Sequence, residues 1–416
     1  MENFYSKVNE RKTKISMNKV ADILLIVAIY LFAYRGNVGA VIALCSIVAR
    51  LMSGKIVIKK NSMYIIMWAL FILFFSVVLY VARTLNLEFY VLVAYISSLY
   101  ILLIFKEIDY KLLFKGLFFV SEFVLIGVFL QYFLPGLYDI VAKLFFPTDI
   151  YLQNLQRASS GYVIGFTREV AYSALFLVLG ISYLLFLTEK KYKYIYILIY
   201  FFALFLTGKK AQPIFLLIAL FFLYIFQTKK LTKHLKIYML AIIGVLVIYV
   251  SFPIWKNFAF LSRIVQFIEG FIAGGDLLEL TSGRLVIYER ALELWESDKI
   301  FGIGWTNFRQ LGAYGNSEYT TWFQYFDVHN CYLQLLCETG IIGLSLYLIL
   351  LIASIIAMIK ILRVYKSPVI KYSMTYIFLF VLYSITEPCL YTDSYFIIFF
   401  ICISCIFAYK DNLGEL

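Results

Sequence analysis

Twelve apolar stretches of near-membrane length dominate the 416-residue chain and leave few folds open to it. They run over residues 20–34, 38–52, 63–82, 86–105, 112–133, 169–187, 192–207, 211–227, 237–252, 330–359, 372–387 and 392–409. A helix that crosses a bilayer needs about 20 mostly apolar residues. The first two stretches are short, so they read as a hairpin with tilted or partly buried arms, and ten to twelve spans is the count the sequence supports. With 63% apolar and 15% charged residues, the chain carries more apolar surface than a soluble domain can hide. The expectation is an all-α polytopic membrane protein, one body rather than several independent domains.

The basic start (Lys7, Arg11, Lys12, Lys14, Lys19) leads into the first apolar run without a small-residue cleavage site, so that run reads as a signal anchor. Six cysteines, at 45, 331, 337, 389, 402 and 405, show no framework spacing. Cys331 and Cys389 could approach each other at one membrane face, but buried free thiols are the better reading. The net charge of +12 is scattered over loops with no interleaved aromatic groove, which argues against nucleic acid. It is the topological bias of cytoplasmic loops.

That bias sets the orientation. With the N-terminus inside, connections Ser53–Ser62, Glu189–Lys193, Thr228–Lys236 and Leu362–Lys371 are basic, and Lys106–Lys111 is balanced. Both termini are then cytoplasmic, and the long connections 134–168 and 253–329 are outer. Three parts follow: residues 1–252 with about nine spans, the polar outer segment 253–329, and residues 330–416 with about three. A membrane protein that elaborates only its outer loops works at the outer face.

Several outer cations are out of place under this rule. Thr207-Gly208-Lys209-Lys210 makes a tight turn between two apolar helices. Arg157 and Arg168 flank a glycine-containing stretch from Ser160-Gly161 to Gly165-Phe166, and Arg284 follows Ser282-Gly283. Any one of them could simply contact lipid head groups. Cations from three separate outer loops, gathered at one interface, would make a site for a multiply charged anion such as a pyrophosphate.

Within the polar segment, Leu285, Tyr288, Ala291, Leu292 and Trp295 recur at helical spacing, with Glu289, Glu293 and Glu296 on the polar face and Ser282 as the expected N-cap. This predicts an amphipathic helix resting on the membrane-embedded body, its first amides aimed with Arg284 at an anion. Gly302-Ile303-Gly304-Trp305 with Phe308 lacks the strand and the Lys-Ser/Thr of a phosphate loop and reads as a packing turn. His329, in Asp327-Val328-His329-Asn330, is either a helix-start histidine satisfied by a carbonyl or a general base at the interface. His234 sits in a cytoplasmic basic loop and is a solvated bystander. Glu338 falls on a different helical face from His329 and reads as structural.

Taken in order, Ser282-Gly283-Arg284, Gly302-Ile303-Gly304-Trp305, His329-Asn330-Cys331-Tyr332-Leu333 and Glu338-Thr339-Gly340-Ile341-Ile342-Gly343-Leu344 resemble the O-antigen ligase and polymerase superfamily over roughly 195–350. The Gly208-Lys209-Lys210-Ala211 turn is similar to the family's basic turn, with Lys where many members carry Arg. The resemblance implies a glycosyltransferase C-type helical architecture and an inverting transferase that uses a polyprenyl-diphosphate-linked donor without metal or other cofactor. It also implies His329 and Arg284 as the essential histidine and loop arginine, Arg157, Arg168, Lys209 and Lys210 toward the diphosphate, and Glu387 as an acidic support. The chemistry is coherent: diphosphate leaves readily once its charge is neutralised, and the acceptor hydroxyl must lose a proton as it attacks. Carboxylates paired at glycosidase spacing are not evident, which argues against hydrolysis.

A repeat-unit polymerase and a ligase that passes the finished glycan to lipid A core or protein would use the same residues. A composition rich in Ile, Phe, Tyr and Lys, as in AT-rich bacteria whose surface-polysaccharide clusters carry divergent polymerases, favours polymerase. A flippase or transporter of lipid-linked sugars is disfavoured, because the two halves are unlike and the polar insert is single. The expected partners are a lipid-linked oligosaccharide donor and acceptor, membrane lipids and a chain-length regulator. The expected setting is the bacterial cytoplasmic membrane.

Overall fold

A computed structural model describes residues 16–53, 63–85, 88–189, 191–209, 211–227, 265, 269–270, 283–311 and 327–413. The protein is an all-α polytopic membrane protein. Its helices are α1 (Met17–Tyr34), α2 (Gly36–Met52), α3 (Met63–Arg83), α4 (Phe89–Leu103), α5 (Tyr110–Phe133), α6 (Pro135–Phe145), α7 (Thr148–Ser159) and α8 (Val170–Phe186). They continue as α9 (Lys193–Leu206), α10 (Ala211–Gln227), α11 (Arg284–Ser297), α12 (Phe308–Leu311), α13 (Cys331–Tyr365), α14 (Pro368–Tyr383) and α15 (Asp393–Leu413). By length and composition α1, α3, α5 and α13 can each cross a membrane, and seven shorter apolar helices accompany them. These eleven coincide with eleven of the stretches expected from sequence. The stretch 237–252 lies outside the described residues, as do His234, Lys210 and Ser282.

Burial separates two kinds of helix. Every side chain of α15 from Asp393 to Ala408 is buried, as are Tyr172–Ser182 of α8 and Tyr372–Phe380 of α14. These form the centre, with α15 packed against α1, α4 and α14. Outer helices keep one apolar face exposed, such as Leu70, Leu73 and Phe74 on α3 and Ile349, Ile352 and Ile356 on α13. Helices apolar all round belong in a core or a membrane, and exposed stripes of this kind are stable only against lipid.

The two short N-terminal spans form a helical hairpin joined through Arg35 alone. A Cβ on Gly39 would stand 2.5 Å from the Phe32 nitrogen, so only glycine lets the arms close. At its other end the buried Asp22–Arg50 ion pair reaches the α4–α5 connection: Arg50 donates to the Glu107 carbonyl at 3.1 Å, and Asp22 accepts from the Asp109 amide at 3.2 Å. All six cysteines are free, Cys45 exposed and the others buried.

Two connections depart from the sequence reading. Residues 134–168, read only as a long outer loop, contain α6 and α7. Pro135 opens α6 in the first turn, where its missing N–H costs nothing. Tyr138 and Ala142 face inward, while Leu137, Ile140 and Leu144 stay exposed. The stretch 330–359 was read as one span, but α13 is broken at Gly340 (φ 63°, ψ −169°) and runs on to Tyr365. The break admits the Gly302-Ile303-Gly304 turn, whose Ile303 and Gly304 amides donate to the Cys337 and Glu338 carbonyls at 3.0 and 2.9 Å. The packing-turn reading is therefore what the structure contains.

Candidate functional site

His329 ends the polar insert in the left-handed region, at φ 56°. Histidine is among the few non-glycine residues that visit it, and the conformation must be held by neighbours. Here it is held on both sides. Asn330 caps α13 by accepting from the Leu333 amide at 3.0 Å, and the Cys331 amide donates to the Ser384 carbonyl at 2.8 Å, binding the start of α13 to the end of α14. Upstream, the fully buried Gln334 accepts from the Val328 amide at 3.1 Å and donates to Asp327 at 3.0 Å. Arg309 grips Asp327 through two bonds of 2.9 and 2.8 Å. Tyr288 on α11 donates to the His329 carbonyl at 3.5 Å.

The His329 imidazole stands with Nδ1 3.5 Å from Oε2 of Glu387. Glu387 follows α14 in a turn closed by its own amide donating to the Tyr383 carbonyl at 2.9 Å. Its other oxygen, Oε1, accepts from Lys209 Nζ at 2.6 Å and lies 3.6 Å from Arg284. Lys209 arrives on the α9–α10 turn, where Gly208 takes φ 74° and the Lys209 amide donates to Thr207 Oγ1 at 3.3 Å. Burial alone would raise the Glu387 carboxyl, but Lys209, His329 and Arg284 together hold it well below the usual carboxylate range. Burial works against the Lys209 ammonium too, and Glu387 overcomes it, so that this group stays charged far above neutral pH.

Arg284 opens α11 and donates to the Thr386 carbonyl at 2.9 Å. Gly283 occupies the N-cap with φ 77° and no side-chain cap. The expected amphipathic helix is present, turned slightly from its predicted face. Ile287 and Ala291 are buried, with Tyr288 and Trp295 packed beside them against Phe308, Val328 and Cys337, while Leu292 is exposed. Leu292 sits one residue beyond Ala291 on the solvent side, so it cannot join the stripe that meets α13. Glu289, Glu293 and Glu296 are exposed as expected.

Beside this cluster lies a polar cavity of about 520 Å³ lined by His329, Glu387, Arg157 and Arg168. Arg157 comes from α7 and donates to the Arg168 carbonyl at 2.8 Å. Arg168 lies on a segment fastened to α5, where Gln131 accepts from the Ile164 and Gly165 amides, both at 2.7 Å. Its own amide donates to the Ala33 carbonyl at 2.9 Å. Arg157, Arg168, Lys209 and Arg284 therefore gather near one another, but not as bare cations. Arg168 pairs with the buried Asp393 at 3.2 Å and Tyr172 at 2.6 Å, and Arg157 lies 3.6 Å from Glu169. Lys209 and Arg284 connect to the cavity through Glu387.

Sequence reading missed several groups. Arg309 and Asp327 line the cavity, as do Tyr90, Asp149 and Gln153. The four-residue spacing of Asp149, Gln153 and Arg157 was a legible sign of one helical face. Burial opposes ionisation of Asp327, yet Arg309 and Gln334 hold its carboxyl below the usual range. Glu338 is buried and structural: it accepts from the Thr306 and Phe308 amides at 2.7 and 3.1 Å. Among the described residues, no three His, Cys, Asp or Glu side chains gather so as to hold a metal ion.

A search of curated proteins finds no match. Residues 195–348, which carry Lys209, Arg284 and His329 but not Arg157, Arg168 or Glu387, match the family described as O-antigen ligase. That match supports the resemblance of this segment to the O-antigen ligase and polymerase superfamily.

Proposed function

We propose that this polysaccharide-related membrane enzyme is an inverting glycosyltransferase of the outer face of the bacterial cytoplasmic membrane, joining polyprenyl-diphosphate-linked repeat units. The observation that carries the reading is the His329–Glu387 pair at the wall of a cavity that also holds Arg157 and Arg168. With Nδ1 turned to Glu387, proton abstraction falls to Nε2. The acceptor hydroxyl gives its proton to Nε2 as its oxygen attacks C1 of the donor sugar from the face opposite the leaving group. The bond from C1 to the diphosphate oxygen breaks, and the diphosphate leaves with the electron pair. Glu387 steadies the imidazolium, and Arg157, Arg168, Lys209 and Arg284 offset charge on the leaving group. General-base assistance of this kind contributes about 10²–10⁴-fold.

The test is chain growth in a His329→Ala strain, with the protein's abundance in the membrane measured alongside. The ladder of surface polysaccharide is expected to collapse while abundance holds, and a normal ladder would sink the base assignment. Arg284→Ala is expected to behave in the same way. The family's description favours a second reading, ligation of a finished glycan. Purified protein given a single lipid-linked repeat unit separates the two: a polymerase makes a ladder, and a ligase does not.

A further inference from the structure

We propose that the cavity face of α7, presenting Asp149 and Gln153 opposite Tyr90 and Arg309, is a glycan-binding subsite that holds the sugars flanking the reacting hydroxyl. The assignment rests on the transferase reading above. It starts from the charge of the lining. Three arginines line the cavity, but so do five carboxylates, and the two shortest pairs among them engage Arg168 and Arg309. Arg168 is engaged by Asp393, and Arg309 by Asp327 through two bonds. A lining this balanced has no surplus cation along most of its length for a free anion. It suits a neutral polyhydroxyl ligand, whose hydroxyls donate to carboxylates and accept from guanidinium and amide N–H groups.

Helix α7 is built to present such groups. Asp149, Gln153 and Arg157 follow at four-residue intervals, so they share one face. The buried Asn154 fixes the helix from the other side by donating to the Thr167 carbonyl at 3.2 Å. Asp149 and Gln153 are exposed into the cavity and have no side-chain partner among the described residues, in contrast with the paired arginines. They are the acceptor-rich and donor-rich groups left for a ligand. Tyr90 on α4 adds a ring on which the apolar face of a sugar can lie. It is fixed by its hydroxyl donating to Glu88 at 2.7 Å and by the Arg168 guanidinium 5.8 Å from its centroid. A volume of about 520 Å³ has room for a short oligosaccharide and falls within the usual range of small-ligand sites.

The test uses the full-length protein in nanodiscs and oligosaccharide released by mild acid from the host's own surface polysaccharide, read by saturation-transfer NMR. The expected result is binding that excess inorganic pyrophosphate does not displace. Asp149→Ala and Gln153→Ala should each weaken it at least tenfold, while Leu155→Ala, on another face of α7, leaves it unchanged. Both polar side chains are exposed and unbonded, so their loss does not threaten folding. The assignment is overturned if the wild type binds no glycan, if both variants bind as the wild type does, or if pyrophosphate displaces the sugar. A parallel measurement on His329→Ala separates the two readings. Retained glycan binding with lost chain growth supports both, whereas retained binding with a normal ladder removes the base and leaves the subsite standing.

Discussion

Gln334→Leu isolates the device that holds His329 in place. The side chain is fully buried and keeps nearly the same volume in the variant, so packing is little changed. What is lost is the acceptor for the Val328 amide at 3.1 Å, one donor to Asp327 at 3.0 Å and a longer one to Glu338 at 3.4 Å. Val328 is itself fully buried, and an orphaned buried N–H costs about 1–3 kcal/mol. Asp327 keeps its two bonds from Arg309, so its share is about 1 kcal/mol. The total, about 2–4 kcal/mol, falls on a four-residue turn that carries a left-handed His329. At about 1.4 kcal/mol per decade, a turn that spends this energy in positioning the imidazole loses roughly 30- to 700-fold in transfer rate. The assay is ladder formation by purified protein with a lipid-linked repeat unit, paired with thermal unfolding. A substrate KM near that of the wild type with a depressed kcat is expected, since Gln334 does not line the cavity. Wild-type kcat in a folded Gln334→Leu protein would refute the argument that the clamp positions His329.

Three further outcomes can be measured. Gly340→Ala should unfold well below the wild type or fail to accumulate, because its Cβ would stand 2.1 Å from the Ile300 carbonyl oxygen at a backbone conformation suited to glycine; wild-type melting would show that the break can close up. Arg50→Met should cost about 3–5 kcal/mol by stranding Asp22, and adding Asp22→Leu should restore most of it; equal melting of the single and double variants would contradict this. Glu387 has a depressed folded-state pKa, so its contribution to stability is present above the ordinary glutamate range and lost as pH falls through the folded value. Melting of the wild type should therefore fall more steeply than that of Glu387→Gln as pH drops below about 4, with the two curves well apart at neutral pH. Parallel curves would deny the linkage.

The helical bundle was legible because bilayer thickness and helix rise leave a strong one-dimensional signal, and eleven described helices answer to it. Sequence singled out His329, Arg284 and Lys209 as polar residues out of keeping with their surroundings, and Glu387 only through the family resemblance. It could not show that Lys209 and Arg284 share one carboxylate, because residues 209, 284 and 387 meet only through tertiary packing. Nor did it find α6 and α7. Their mixed composition lacks the long apolar run of a span, and the four-residue spacing of Asp149, Gln153 and Arg157 is a weak signal until a cavity gives it a direction. The break in α13 was hidden for a different reason. Gly340 is an isolated glycine in a long, mostly apolar run, which alone does not end a helix, and the Gly302–Gly304 turn, distant in sequence, makes the break favourable.

The way the site is fastened argues for a division of labour. His329 and Glu387 are each a few residues from a single backbone bond, Cys331 amide to Ser384 carbonyl, that joins the start of α13 to the end of α14. Their relative position is therefore set where the start of α13 is bound to the end of the extensively buried α14. Lys209 and Arg284 reach the same carboxylate on separate connections, and both bind the oxygen that faces away from the imidazole's partner atom, Oε1 rather than Oε2. In the proposed reading they can yield charge to an incoming diphosphate without releasing Oε2 from His329. Arg157 and the α7 face hang from a third element, whose inward contacts are to α5 and the segment before α8. In the proposed reading, the base and its carboxylate form the fixed part, and the helices of 134–168 form the part that adapts to a particular glycan. Substitutions at Asp149 and Gln153 should then alter which sugars are accepted without altering the chemistry at His329.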